Sequence, residues 1–153
     1  MTCGQRPSGT SLSLWLSGVA GLLVTMPLAA ATCGLSTQSA NFGNYDFQSS
    51  QNLDGVGHVT VTCDVATTYT IALSPGVAGT FTSRIMQNGP HQLQYNLYVD
   101  LAHASVWGDG TGNSTTVSGS GTNVDHPVYG SIPAGQNPYV GSYSDVITVM
   151  LSF

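Results

Sequence analysis

A chain of 153 residues can hold one domain with a hydrophobic core and is too short for a two-domain enzyme. Its charged fraction is 6%, with no lysine, no glutamate, seven aspartates and only Arg6 and Arg84 as bases, and the net charge is −5. That balance excludes a nucleic-acid binder, which needs cations to neutralise phosphates, and argues against long surface helices, which carry Glu and Lys on their solvent face.

The chain opens with Arg6 and then an apolar stretch from Leu12 to about Met26, closed by Pro27 and the small-residue run Ala29-Ala30-Ala31. This is the three-part pattern of a secretory signal peptide over residues 1–31, with cleavage expected before Thr32. The stretch is shorter than the roughly 20 apolar residues of a membrane-spanning helix, so stable membrane insertion is not expected. Ala30-Ala31-Thr32-Cys33 lacks the leucine of a lipoprotein box. Cleavage after Ala20 is the alternative, and it would free Gly21 to Thr32 with Leu22, Val24, Met26 and Leu28 in alternation. Removing 31 of the 153 residues leaves 122, which carry one arginine against seven aspartates, a charge of −6. Cys3 departs with the signal. Cys33 and Cys63 remain, an even pair in an exported chain, and are expected to form a disulfide.

From residue 32 onward the pattern has period 2. Val59, Val61, Cys63 and Val65 fall on one face of a first run, with Thr60, Thr62 and Asp64 on the other. Tyr69, Ile71 and Leu73 form a second run, and Leu93, Tyr95, Leu97 and Val99 a third. Ile147, Val149, Leu151 and Phe153 share one face of the last run. Shorter strand candidates surround Phe42, Ile85, Val106, Val117 and Val128–Ile132. Turns are expected at Asp54-Gly55, Ser74-Pro75-Gly76, Asn88-Gly89-Pro90, Asp109-Gly110 and Pro133-Ala134-Gly135. The Gly/Ser/Thr-rich stretch from Gly108 to Gly121 reads as a loop or hairpin. Short strands, regular turns and one linking disulfide predict an all-β fold, an antiparallel β-sandwich, over residues 32–153.

No catalytic constellation stands out. His58, His91, His103 and His126 show no metal-ligand spacing, and Asp54 and Asp109 sit before glycines, where aspartate serves the backbone. There is no G-x-S-x-G elbow and no phosphate-cradling glycine loop followed by lysine. Asn113-Ser114-Thr115 is a formal glycosylation sequon, and Arg84 is expected to pair with a nearby aspartate. The reading is of a protein that is not an enzyme and needs no metal or cofactor. Exposed aromatics such as Tyr98, Trp107 and Tyr139 leave open a free-standing sugar-binding sandwich.

An ordered set of short motifs narrows this. Phe42-Gly43-Asn44-Tyr45-Asp46 follows the first mature cysteine, and Val59-Thr60-Val61-Thr62-Cys63 contains the second. Tyr69 to Ser74, Arg84-Ile85-Met86, Leu93 to Tyr98 and Val106-Trp107-Gly108-Asp109-Gly110 come next. Val128-Tyr129-Gly130-Ser131-Ile132-Pro133-Ala134-Gly135-Gln136 and Gly141 to Asp145 complete the series. From Cys33 to Phe153 the chain resembles the spore coat protein U domain family, which includes subunits of archaic chaperone–usher pili. It departs from the family's habit at Phe47, where proline is common, and at His103, where a basic residue is common.

The resemblance implies an immunoglobulin-like sandwich that is incomplete by one strand. A periplasmic pilus chaperone would lend the strand first, and a neighbouring pilus subunit would replace it at the usher. The final strand, with Ile147, Val149, Leu151 and Phe153 facing inward, is expected to line the acceptor groove. The same four residues in a self-sufficient sandwich would be ordinary core. The function so implied is that of a structural subunit, exported through the periplasm to an extracellular fibre for surface attachment or biofilm formation, with a cell-surface coat protein as the alternative.

Overall fold

The computed structural model describes residues 30–153. The signal expected over residues 1–31 therefore lies, up to Ala29, outside the described residues. The order of elements is β1 (Cys33–Gln38), β2 (Leu53–Leu73), a one-turn 3-10 helix (Gly76–Ala78), β3 (Arg84–Asn88), β4 (His91–Tyr98), β5 (Val117–Ile132) and β6 (Val149–Ser152). Every pairing is antiparallel, and the sheet runs β1-β2-β5-β4-β3, with β6 also on β2.

Two strands dominate. The 21 residues of β2 would span roughly 70 Å if straight, far more than a domain of this size can hold. The strand bends instead. Its register with β5 shifts between Thr62 and Thr67, a bulge that turns the sheet upon itself and lets β2 and β5 run through both layers. The two runs read as separate strands in the sequence are thus one strand with a corner. The antiparallel sandwich is a single curled sheet, continuous around its core.

The alternating residues fill that core. Val59, Val61, Cys63, Tyr69, Ile71 and Leu73 from β2 meet Leu93, Tyr95 and Leu97 from β4 and Val128 and Ile132 from β5, and all are buried. Val65, expected on the same face, is exposed because the bulge interrupts the alternation there. Cys33 and Cys63 are direct cross-strand partners and are disulfide-bonded, fixing β1 to β2.

Two turn assignments need correction. Asp54-Gly55 lies inside β2, where Asp54 accepts a hydrogen bond from the Ser131 hydroxyl at 2.6 Å. Glycine is required at 55 for close approach, since a Cβ would come within 2.8 Å of the Asn41 carbonyl oxygen and 3.0 Å of the Phe42 ring. The stretch from Gly108 to Gly121 divides: its second part is the start of β5, and only the first part is a loop. Asp109 organises that loop by accepting from the Thr111 amide at 2.9 Å and the Thr111 hydroxyl at 2.6 Å.

Arg84 corrects a third expectation. It pairs with no aspartate; it is fully buried and donates to the carbonyls of Ser74 (2.9 Å) and Trp107 (2.7 Å) and to Asn96 Oδ1 (2.7 Å). Its guanidinium lies 5.2 Å from the centre of the Phe81 ring. Burial lowers its pKa, and the surroundings of Tyr95 and Asp145 work against that. A planar fork of donors with neutral acceptors thus ties β3, β4, the end of β2 and the Trp107 loop at one point.

Candidate functional site

One groove reaches down to the core. A groove of about 960 Å³ runs between the chain that leaves β1, residues 37–45, and the segment 138–149 that leads into β6. Eight of the buried core residues form its floor, Val59, Leu73, Leu93 and Ile132 among them. The floor of the groove is therefore the hydrophobic core itself.

Pairing explains the opening. β1 lies beside His58–Cys63 of β2, and β6 beside Thr70–Leu73, both on the margin opposite β5. Among the described residues neither β1 nor β6 has a second strand neighbour. On the far side, Ser144 makes two backbone hydrogen bonds with Gln87 at the margin of β3, at 2.8 and 3.1 Å, before the chain crosses to β6. The sheet has curled almost into a closed circuit, and the groove is the gap that remains.

Each wall is pinned by specific contacts. Phe42 stacks edge-on against Tyr95, with centroids 6.0 Å apart, and rests on Gly55 and Gly130, which are cross-strand partners. A Cβ on Gly130 would come within 2.6 Å of the Phe42 ring. Tyr45 donates to the Pro133 carbonyl and accepts from the Gln136 amide, both at 2.9 Å. On the other wall, the Asp145 carboxylate accepts from the Tyr95 hydroxyl at 2.7 Å and from the amides of Val77 (3.0 Å) and Val146 (2.8 Å). Burial, reinforced by the bond to Asp145, pushes the Tyr95 phenol far up, so it stays a neutral donor.

The four residues expected on the inner face of the last strand separate. Ile147 and Val149 line the groove. Leu151, paired with Ile71, packs against the core but not along the groove. Phe153 is 59% exposed, one residue beyond the last ladder pair, Thr70 with Ser152. The strand expected around Phe42 is not formed: the first wall leaves β1 at Gln38 and is irregular from there, as is the wall at 138–145, so neither shows a sustained alternation. Their signal was present in Gly55 and Gly57, glycines inside a strand pattern that mark another backbone crossing close by.

The other candidates do not assemble. Trp107 is 1% exposed, its indole donating to the Ile71 carbonyl, so it offers no platform to a sugar. Tyr139 stacks on His91 and Tyr98 leans on His103, as two separate pairs. His58 Nδ1 meets Asp125 at 2.7 Å and the Thr60 hydroxyl donates to the other carboxylate oxygen, which together hold Asp125 below the usual carboxylate range. His126 meets the Tyr69 hydroxyl at 2.9 Å, and burial lowers its pKa against the pull of Asp125. Among the described residues no three His, Cys, Asp or Glu side chains are grouped to hold a metal ion, and no helix is long and apolar enough to cross a membrane.

Comparison with known proteins agrees with this architecture. In fold, the chain is similar to a chain of the chaperone–tip adhesion subunit pre-assembly complex CsuC–CsuE, from the archaic chaperone–usher Csu pili of Acinetobacter baumannii. The TM-score is 0.57 at 21% identity, over 81% of this chain and 40% of that one, so the likeness is one of fold. In sequence, it is 32% identical over 133 residues to Protein U of Myxococcus xanthus, covering 78% of this chain and 74% of that protein. The model of the Spore Coat Protein U domain matches residues 19–150, and with the ordered motifs and the relative this places the chain in the spore coat protein U domain family.

Proposed function

We propose that this chain is an exported structural subunit of a chaperone–usher fibre, and that its open groove receives a β-strand from another polypeptide. The observation that carries the reading is the 960 Å³ groove floored by core residues, beside two sheet margins that have no second strand neighbour among the described residues. Such a site suits an extended segment. Main-chain hydrogen bonds satisfy the margins, and alternate apolar side chains enter the core, each stabilising by about 1.5–3 kcal/mol when fully buried. The donor is first a periplasmic pilus chaperone and then, at the usher, a neighbouring subunit. The signal over residues 1–31 directs export, and the assembled fibre lies outside the cell, serving attachment or biofilm formation. Within the groove, Ile147 and Val149 contact the donor, Leu151 supports them from the core, and Cys33–Cys63 holds β1 in place as the opposite flank.

The family likeness and the solved chaperone–subunit complex of similar fold both support this reading. The family's description as a spore coat domain favours a second one, in which the chain assembles into a surface coat without a long fibre. Co-expression of the chain with a tagged periplasmic pilus chaperone tests the first. The expected result is a stoichiometric complex that survives purification. A chain that folds as a stable monomer and does not bind the chaperone would overturn it.

A further inference from the structure

Among the described residues, strand β4 has an open stretch of margin outside the groove, on the side away from β3. Its ladder with β5 covers Asn96 to Tyr98 and ends where β5 reaches Ile132, because Pro133 has no N–H to continue it. Gln94, two residues before Asn96, faces the same way and would be left with a free amide and carbonyl. It is not left free. The Gln136 side chain accepts from the Gln94 amide through Oε1 at 2.7 Å and donates to the Gln94 carbonyl through Nε2 at 2.9 Å. Nε2 also donates to the Pro133 carbonyl at 3.1 Å, and the Gln136 backbone amide is held by Tyr45. A side-chain carboxamide thus reproduces both hydrogen bonds of a neighbouring strand residue, at the place where the strand runs out.

The composition says why such a device is needed. Natural sheets blunt their open margins above all with lysine and other charges. This chain has no lysine and no glutamate, and β4 carries neither arginine nor aspartate. Past Gln94, the two-residue alternation turns Gln92 to the same margin, and its side chain is exposed and uncharged.

We propose that Gln136 is a specificity-determining residue for strand addition: it occupies the β4 margin so that a strand from a second copy of this chain cannot pair with Gln92 and Gln94. This rests on the reading of the protein as a strand acceptor, since it explains how the groove is kept the preferred address. Gln136→Ala frees the amide and carbonyl of Gln94, which then extend the margin at Gln92 to two residues on the same side of β4.

The test combines sedimentation velocity with residue-resolved amide exchange on the full chain, as wild type, Gln136→Ala and the double variant Gln136→Ala with Gln92→Lys. The expected result is that Gln136→Ala self-associates at a concentration about tenfold lower than wild type. Its oligomers slow exchange at Gln92 and Gln94, and Gln92→Lys reverses both effects without restoring the lost hydrogen bonds. Unchanged self-association, or oligomers that protect only residues 37–45 and 145–152, would overturn the proposal; the second pattern would at the same time uphold strand acceptance at the groove. Should Gln136→Ala not fold, Gln136→Asn, one methylene too short to reach Gln94, carries the same expectations.

Discussion

Arg84 shows what a single charge does in a chain with almost none. Its guanidinium is buried among carbonyl oxygens of Ser74 and Trp107 and the Asn96 amide, and replacing it leaves those acceptors without donors. Arg84→Met is expected to cost about 3 kcal/mol, read as a lowered midpoint of urea unfolding, and Arg84→Lys most of that, because an ammonium cannot serve the same fork. Gly130 tests a steric argument. Gly130→Ala drives a methyl into the Phe42 ring and is expected to destabilise by roughly 1–3 kcal/mol. Adding Phe42→Ala should make the two changes less than additive, whereas full additivity in the double-mutant cycle would deny the contact. His126 sets a pH dependence. Its folded-state pKa is lowered by burial, so between that value and the ordinary 6.5 the unfolded chain binds more protons. Stability is therefore complete above about pH 6.5 and declines as pH falls below it. Asp125, lowered by His58 and Thr60, adds a loss in the same direction once pH passes below 3.8. His126→Gln should flatten the thermal midpoint between pH 5 and 7 and leave the lower limb in place.

At the scale of elements, β1 is weakly held, since five of its six residues are exposed and it pairs with β2 alone among the described residues. The Cys33–Cys63 bond compensates by anchoring its first residue across a separation of 30. On the loop-entropy account the cross-link is worth roughly 3.5 kcal/mol, so Cys33→Ala with Cys63→Ala should lower stability by about that amount and speed amide exchange along residues 33–38 first. β6 divides the last run by exposure. Ile147→Asp places a charge in the groove and is expected to abolish chaperone co-purification, while Phe153→Asp, on an exposed side chain, should leave it intact. The alternation of Val59, Tyr69 and Leu93 with their polar neighbours was enough to find β2 and β4 and the core they supply. The corner in β2 was not legible, because a bulge is set by where the sheet must bend rather than by any residue within Thr62–Thr67. The groove walls were hidden for a related reason: Phe42 and Asp145 act from irregular backbone, and the partner they share, Tyr95, is distant from both in sequence.

For the whole molecule, the low charge and the open groove belong together. A surface with few charges gives little protection against association, and a groove that reaches down to the core invites it. A soluble monomer with these properties would be hazardous, and a subunit whose margins end up covered by other chains is not. The pinned walls make the opening a shaped site rather than a loose end: Phe42 over its glycine pair and Asp145 beneath Tyr95 hold the two sides apart. The alternation along the last strand indicated that something apolar faces inward there, and family resemblance supplied the idea of a missing strand. Only the three-dimensional pairing shows which margins lack a neighbour among the described residues, since that depends on β1 and β6 both choosing the same side of β2.

The most direct measurement is amide exchange along residues 37–45 and 145–152, compared between the chain alone and its complex with a periplasmic pilus chaperone. Exchange that is fast in the lone chain at those amides of the two flanks that do not bond β2, and strongly slowed there in the complex, is the result expected of a borrowed strand. Flanks already protected in the lone chain, and unchanged by the chaperone, would contradict it.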